Sequence, residues 1–256
     1  MDVNKNSYTF LFAILMVIVV AALLSTAAIQ LKPFQDVNIV LEKKQNILSS
    51  VGVNILRDSA NIIYPKYIKD ELVLNSAGNI VEGSAFDLDL SVELKKEKSE
   101  QLLPLFISEF DNEKKYIIPL RGKGLWGPIW GFIALESDLN TVFGAVFDHK
   151  AETPGLGAEI NQDFFQDPFQ GKNIFDVDGN LKSIVVKKGG ADKDDKYAVD
   201  GISGGTITSD GVTDMLSERL NMYLPYFENL KSDLRNNDSV LNIDTLAIND
   251  INLTYE

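Results

Sequence analysis

The apolar residues of this chain include one unbroken block near its start. No charged residue occurs between Asn6 and Leu31, and this span contains the run YTFLFAILMVIVVAALLSTAAI. At a rise of about 1.5 Å per residue, the run is long enough to cross a hydrocarbon core of about 30 Å. The pattern predicts one membrane-spanning helix. A cleaved signal peptide is the alternative, because Ser25, Thr26 and Ala27 suit a signal peptidase. The length of the run favours an uncleaved anchor.

A second helical pattern follows the anchor. Pro33 is predicted to end the first helix, and NIVLEKKQNILSSVGVNI then resumes a helical period. The predicted buried stripe of this second helix is Ile39, Val40, Ile47, Leu48 and Val51.

Three segments are therefore predicted along the chain. They are a tail and transmembrane anchor over 1–32, a main domain over 33–230 whose lead-in helix covers 33–60, and a carboxy-terminal extension over 231–256.

The middle of the chain changes to the pattern of strands. β-branched and aromatic residues cluster in runs separated by Gly, Asn and Asp, which predicts strands at 115–120, 128–136, 139–148 and 182–188. Residues 80–100 are predicted to form a strand followed by a solvated edge or loop. From Ser209 a period of 3.6 residues runs to Pro225, which predicts a helix. The expected fold class is α+β, with a mixed or antiparallel sheet flanked by helices.

Charge and cysteine content exclude several classes of protein. The formal net charge is −13, which argues against nucleic acid as a partner. The absence of cysteine excludes disulfides, thiolate-bound iron–sulfur clusters and c-type haem attachment. With one histidine and no cysteine, the sequence predicts no metal site. Lys5 and the lysines after the anchor do not determine the orientation in the membrane.

The segment DGISGGTITSDGV, residues 200–212, admits several interpretations. GISGG matches the nucleophile elbow G-x-S-x-G around Ser203, but the only histidine, His149, precedes the serine, which opposes a hydrolase. Gly204 and Gly205 before a helix could form a phosphate-binding turn. They could also form a plain turn in which Thr208 or Ser209 caps the helix. Local pattern alone leaves the last two open.

Two motifs resemble those of a known flavoprotein family. Residues 200–206, DGISGGT, resemble the flavinylation motif D-x-x-[ST]-G-[AG]-[ST], whose last hydroxyl accepts FMN through a phosphodiester bond. ETPGLG (152–157) resembles a second family segment, and RGKGLWGPIWGFIALE (121–136) and EKKQNIL (42–48) resemble two more. The chain is thus similar, from its anchor to about Tyr226, to the C subunit of the bacterial sodium-translocating NADH:quinone oxidoreductase. It departs from the family at Gly205, where the family more often has Ala.

The resemblance implies a set of site residues. Thr206 would carry the FMN phosphate, and Asp200, Ser203, Gly204, Gly205 and Thr208 would form the attachment loop. The residues expected near the flavin ring are Glu152, Thr153, Gly155, Leu156 and Gly157, with Lys188 as a weaker candidate. Trp126 could stack near the flavin, although a buried aromatic of the sheet is the favoured role.

The resemblance also implies a function and a location. It implies an electron-carrier subunit with covalent FMN in a membrane complex of the bacterial inner membrane, with the main domain on the extracytoplasmic (periplasmic) side. The partners would be the other subunits, together with a flavin transferase that uses FAD and a metal ion for maturation. Two alternatives are the G-type subunit of the related electron-transport complex, which the GLW segment disfavours, and a cofactor-free membrane-anchored interaction module.

Overall fold

The computed structural model describes residues 6–110 and 113–252, with side chains described as far as Asp233. The predicted tail residues 1–5 and the last four residues of the predicted extension lie outside this description. The chain divides into two compact units, one ending at Lys44 and one beginning at Gln45.

Helix α1 (Asn6–Ser50) is 45 residues long and contains Pro33. The prediction that Pro33 ends this helix is therefore wrong. A proline removes only one backbone donor, and long helical stretches on both sides can accommodate the local kink that its ring imposes. An 18-residue window of α1 has a mean hydropathy of 2.8 and none of it is buried, so its length and composition suit a membrane span.

The second unit contains a six-stranded antiparallel sheet, in the order β2-β1-β3-β4-β5-β6. This arrangement confirms the α+β fold class, with the antiparallel form of the sheet. The strands are β1 (Ile68–Leu74), β2 (Ile80–Val81), β3 (Leu103–Phe110), β4 (Glu113–Lys123), β5 (Pro128–Leu135) and β6 (Val142–His149).

Three of the four predicted strands match β4, β5 and β6 of this sheet. The strand predicted within 80–100 is present only as the two residues of β2, and the same region holds a short helix α3 (Leu90–Glu93) and a 3-10 turn at Lys98–Glu100. Asp89 accounts for the helix, since its carboxylate accepts a 2.7 Å hydrogen bond from the N–H of Ser91 and caps the turn. No pattern in the sequence indicated β1 or β3.

Side chains on the two faces of the sheet form two separate cores. Adjacent residues of β4 alternate between them, with Ile118 in the larger core and Ile117 in the smaller. The smaller core is completed by Ile47 and Leu48 at the end of α1 and by Tyr64 of α2 (Ala60–Tyr67). In the predicted buried stripe, Ile47, Leu48 and Val51 are buried, whereas the expectation for Ile39 and Val40 is wrong because both are exposed.

Helix α5 (Thr206–Asn252) covers the other face of the sheet and packs on β4. It begins three residues before the predicted start at Ser209 and continues through Pro225, which was predicted to end it. The helix lies close to the strand because glycines occur on both sides of the contact. A Cβ on Gly122 would lie 2.6 Å from Cβ of Met215, and a Cβ on Gly211 would clash with the carbonyl oxygen of Lys123.

Three shorter elements complete the larger core. The segment predicted as a strand at 182–188 contains β7 (Val185–Lys187), which pairs in parallel with β8 (Ala198–Asp200). The short helix α4 (Asp163–Gln166) contributes Phe165, which packs on Phe147 and Phe169. Strand β8 leads directly into the segment that precedes α5.

Candidate functional site

Thr206 is the first residue of α5 and follows a tight glycine turn. Gly204 has a φ of +75°, which a residue with a side chain rarely adopts, and the N–H of Gly205 donates to the carbonyl of Ile202 over 3.0 Å. The carbonyl of Gly205 accepts from the N–H of Ser209 over 2.9 Å, so Gly205 is the capping position. The expectation that Thr208 or Ser209 caps the helix is therefore wrong by three or four residues.

The two hydroxyl residues that follow Thr206 in the first turn are already engaged. Ser209 Oγ accepts a 3.2 Å hydrogen bond from the N–H of Ile202 and so closes the turn, while the hydroxyl of Thr208 is buried and donates to Glu152. Thr206 itself is half-buried, and its hydroxyl has no hydrogen-bond partner among the described residues. In the first turn of α5, Thr206 is therefore the hydroxyl that remains available for chemistry.

Asp200 lies at the end of β8 and organises a neighbouring loop. Its carboxylate accepts a 2.7 Å hydrogen bond from the N–H of Ala191, and the next residue, Gly201, donates to the carbonyl of Lys187 over 2.8 Å. These bonds fix the loop that carries Lys188 beside Gly201, at the start of the segment that leads into α5. Lys188 is exposed, and so is Ser203.

The segment 152–157 forms a compact turn against the start of α5. Gly155 has a φ of +76° and donates to Oε1 of Glu159 over 2.8 Å, and the N–H of Leu156 donates to the carbonyl of Thr153 over 3.1 Å. Leu156 packs closely against Gly204, where an added Cβ would lie 2.6 Å from Cδ2 of the leucine. The two motifs are therefore in direct contact, with Thr153 and Leu156 exposed.

Glu152 is the buried anion of this site, with only 5% of its surface exposed. Oε2 accepts a 2.6 Å hydrogen bond from Oγ1 of Thr208, and Oε1 accepts a 2.9 Å hydrogen bond from the N–H of Trp126. Glycine is needed on both sides of the carboxylate: a Cβ on Gly124 would lie 2.5 Å from Oε1, and one on Gly157 would lie 2.6 Å from Oε2. Glu152 therefore joins three segments that are distant in sequence.

Burial and hydrogen bonding act on Glu152 in opposite directions. Removal from water, the largest single effect, raises the pKa of its carboxyl. Hydrogen bonds from the Thr208 hydroxyl and from the N–H groups of residues 125–127 together outweigh it, so the pKa is lowered below 4.5. The carboxyl of Glu152 is therefore an anion at neutral pH and a weak base. Such a group is better suited to accept structural hydrogen bonds than to abstract a proton.

Trp126 lies at the tip of the β4–β5 hairpin, where the N–H of Gly124 bonds the carbonyl of Gly127 over 2.8 Å. The favoured expectation of a buried aromatic is wrong, because 67% of Trp126 is exposed. The hairpin turn directs it away from both cores while its backbone bonds Glu152. Other large apolar side chains exposed on the segments joined at Glu152 are Leu125, Leu156 and Ile207.

These features fit a bound flavin mononucleotide. Exposed aromatic and aliphatic side chains suit the faces of a planar ring system. The amino terminus of a long helix suits a phosphate, because its first N–H groups lack intrahelical partners and its dipole favours negative charge. The sequence analysis missed Leu125 and Ile207, whose exposure no periodicity reveals.

A hydrolytic site is not formed. His149 ends β6, and its Nδ1 accepts a 3.2 Å hydrogen bond from the N–H of Glu152, so this nitrogen is engaged in the loop that holds the carboxylate. Within the described ranges no cluster of three His, Asp or Glu residues could hold a metal ion. The hydroxyl of Ser203 makes no hydrogen bond among the described residues, so no base is positioned to activate it there.

Comparison with known proteins also indicates an FMN-binding protein. Residues 124–221 match the model of the FMN-binding domain family. The chain is 34% identical over 223 residues to the C subunit of the Na(+)-translocating NADH-quinone reductase of Vibrio anguillarum, covering 80% of this chain and 86% of the relative. It is 32% identical over 230 residues to the same protein of Haemophilus ducreyi, covering 82% and 88%.

Solved structures show the same fold. The structure of the C subunit from Parabacteroides distasonis has a TM-score of 0.71 and 43% identity, covering 77% of this chain and 96% of that one. The NqrC structure from Shewanella oneidensis has a TM-score of 0.66 and 26% identity, covering 75% and 97%. The apolar helix α1, the antiparallel sheet covered by α5 and these likenesses together show that the chain belongs to the family of C subunits of the Na(+)-translocating NADH-quinone reductase, an oxidoreductase complex.

Proposed function

We propose that this protein carries FMN covalently, through a phosphodiester bond to Thr206, and relays electrons between redox centres of the complex. The observation that carries the proposal is the free hydroxyl of Thr206 at the first position of α5, next to an exposed apolar surface. Bound FMN supplies the capacity to accept and release electrons. The protein supplies attachment, orientation and a fixed electrostatic environment.

The attachment itself requires an activated hydroxyl. The Thr206 oxygen attacks the phosphorus on the FMN side of FAD, the pyrophosphate P–O bond breaks, AMP leaves, and the hydroxyl proton passes to a base of the flavin transferase. No electron is transferred in this step. An unaided threonine hydroxyl is a poor nucleophile at neutral pH, so the external enzyme and its metal ion provide the activation. The exposed turn at Ser203 and Gly204 leaves Thr206 accessible to it.

The start of α5 stabilises the resulting phosphodiester. The bond retains one negative charge in a chain whose net charge is −13, so a local compensating field is needed. The unpaired N–H groups of the first helical turn provide it. Thr208, buried against Glu152, holds this turn in place, and Gly205 allows the backbone to approach the phosphate.

The proposed ring contacts come from three loops. Trp126, Leu156 and Thr153 are exposed on the loops joined at Glu152 and are available to contact the isoalloxazine. Lys188, on the loop that Asp200 fixes, is a further candidate because a cation near the ring would stabilise its reduced, more negative state. These four side chains are the proposed contacts of the flavin ring.

The proposed location is the bacterial inner membrane, with α1 as a single anchor and the domain on the periplasmic side. The apolar helix and the membership in a membrane complex support an anchor. Other subunits of the complex are the proposed electron partners, and a flavin transferase is the maturation partner. The G-type subunit of the related complex is the second candidate, but the Vibrio and Haemophilus relatives both bear the name of the C subunit.

A denaturing gel viewed under ultraviolet light tests the attachment. The full chain, produced in a host that holds the transferase, is expected to give a fluorescent band and a mass increase of one FMN less one water. Thr206→Val should lose both signals, and Thr206→Ser should retain them because the hydroxyl remains. Ser217→Ala, which removes an exposed hydroxyl of α5 outside the motif, is the matched control and should stay fluorescent. A dark wild-type band, or a fluorescent Thr206→Val band, contradicts the proposal.

A further inference from the structure

A second site lies well along α5 from the attachment turn. A cavity of about 480 Å³ opens between α5, the loop after α3 and the start of β3. Its walls include Lys98, Leu103 and Arg219, together with Met222 and Pro225. The volume falls within the range of about 300–1,000 Å³ that small-molecule sites occupy. Arg219 is thirteen residues after Thr206, which corresponds to about 20 Å of helix.

The guanidinium of Arg219 is poorly satisfied for a group that is only 12% exposed. Its Nε is buried and has no hydrogen-bond partner among the described residues. Nη1 donates over 3.2 Å to the thioether sulfur of Met222, which is a weak acceptor. Nη2 donates over 2.6 Å to Glu218, whose side chain is mostly exposed, and such surface pairs contribute little. A largely buried cation ordinarily has stronger partners.

The charge of the cavity walls is opposite to that of the chain. Lys98 and Arg219 give two positive charges against one negative charge from Glu218, whereas the whole chain has a net charge of −13. Leu94, Leu103, Met222 and Pro225 give the same cavity an apolar wall. This combination selects a small anion that has an apolar body, and it disfavours a bare inorganic ion.

We infer that the cavity between α5 and β3 binds a small amphipathic anion, with a carboxylate or phosphate head held by Arg219 and Lys98 and an apolar body against Leu103 and Met222. Such a ligand would place a further acceptor beside the guanidinium, whose Nη atoms otherwise bond only a thioether and an exposed carboxylate. The site does not include the attachment turn, and the inference does not depend on FMN being bound.

Calorimetric titration of the full chain in nanodiscs tests this. The probe is 4-phenylbutyrate, and its neutral amide and inorganic phosphate are the two comparison probes. The acid is expected to bind, and each comparison probe to bind at least about tenfold more weakly, because each lacks either the charge or the apolar body. Empty nanodiscs measure partition of the acid into lipid, which is subtracted.

Variants locate the binding in the cavity. Arg219→Met keeps the length and apolar stem and is expected to weaken binding of the acid about tenfold or more, whereas Arg219→Lys should retain part of it. Lys66→Ala, an exposed lysine that does not line the cavity, is the matched control and should bind normally. Circular dichroism checks that each variant is folded.

The inference is overturned if none of the probes binds the wild type, if the amide binds as well as the acid, or if Arg219→Met binds unchanged. Flavin fluorescence of the Arg219 variants should equal that of the wild type. Thr206→Val, which is expected to lack FMN, should bind 4-phenylbutyrate as the wild type does. Failure of one proposal can therefore be distinguished from failure of the other.

Discussion

The hydroxyl of Thr208 donates a 2.6 Å hydrogen bond to the carboxylate of Glu152, fifty-six residues earlier in the chain. Both groups are buried, and only 1% of Thr208 is exposed. This bond ties the first turn of α5 to the loop at 152–157. The same carboxylate accepts a hydrogen bond from the N–H of Trp126. The helical turn that begins at Thr206 is therefore held by a contact that does not involve the hydroxyl of Thr206.

Thr208→Val should destabilise the domain while Thr206→Val should not. The valine keeps the shape of Thr208 but leaves a buried carboxylate oxygen without its donor, which costs about 1–3 kcal/mol. Thr206 is half-buried and its hydroxyl is free, so its replacement is expected to change the unfolding free energy by less than about 0.5 kcal/mol. Denaturant unfolding of the two unflavinylated variants measures the difference. Equal stabilities would show that the Thr208 bond is not significant.

The contribution of Glu152 to stability should depend on pH. Because the folded-state pKa of its carboxyl is lower than 4.5, its ordinary value, the anion stabilises the fold fully above about pH 4.5. This stabilisation decreases as the pH falls through the folded-state pKa. The unfolding temperature of the wild type should therefore exceed that of Glu152→Gln at pH 7, and this difference in unfolding temperature should decrease towards pH 3. A gap that stays constant, or widens, contradicts an ionised Glu152 in the fold.

Gly157→Ala should reduce stability and FMN uptake more than Gly155→Ala, although the two glycines are only two residues apart. A methyl group at 157 would clash with Oγ1 of Thr208, whereas no described atom lies within 4 Å of a Cβ at Gly155. Gly155 has a φ of +76°, so alanine there costs about 1 kcal/mol of backbone strain only. The Gly157 variant should unfold at lower denaturant and take up less FMN. If the two variants match in both assays, the predicted clash does not occur.

Trp126→Ala should alter the flavin without altering the fold. Since two-thirds of the side chain is exposed, the expected change in unfolding free energy is below about 0.5 kcal/mol. Loss of an aromatic neighbour should change the fluorescence yield and the reduction potential of the attached flavin. The control is Phe164→Ala, which removes an exposed aromatic side chain on α4. It should leave the fluorescence yield and the reduction potential unchanged. An unchanged flavin in Trp126→Ala removes this residue from the proposed ring contacts.

Tyr223→Phe tests the packing of α5 on the sheet. The phenol of Tyr223 is buried and donates a 2.7 Å hydrogen bond to the carbonyl of Pro104 in β3, and burial raises its pKa. Phenylalanine fills the same space but leaves this carbonyl without its donor, at a cost of about 1–3 kcal/mol. Flavin content should stay normal because the bond lies far along the helix from Thr206. Unfolding midpoints equal to those of the wild type would contradict the prediction.

The sequence predicted those features of the fold that have a local cause. The anchor, β4, β5 and β6 all follow from runs of apolar and β-branched residues, and the structure has them. The predictions for Pro33 and Pro225 are wrong because a single proline removes one hydrogen bond, which a long helix tolerates when the residues around it continue the helix. Most residues of strand β3 are buried on both faces of the sheet. Such a run lacks the alternation of apolar and polar residues that marks a half-buried strand, and β3 was therefore not predicted.

The candidate site was predicted from motifs and not from geometry. The motifs selected Thr206, Glu152 and Thr208, but no pattern indicates that the last two bond each other across fifty-six residues. Trp126 was expected to be buried because aromatic residues usually are, and only the tight turn between Gly124 and Gly127 directs it outward. The proposed roles of Lys188 and Thr153 at the flavin remain predictions.

The glycine contacts between α5 and β4 have a consequence for electron transfer. Met215 lies against Gly122 and Gly211 lies against the carbonyl of Lys123, so the helix is closer to the strand than side chains at the two glycines would allow. Thr206 begins this helix, so any group tethered there has its anchor point at a constant height above the sheet. Tunnelling between redox centres weakens steeply with every additional ångström. The absence of a side chain at Gly122 of the strand and at Gly211 of the helix would thus help to keep the distance of the proposed electron transfer the same in every copy of the protein.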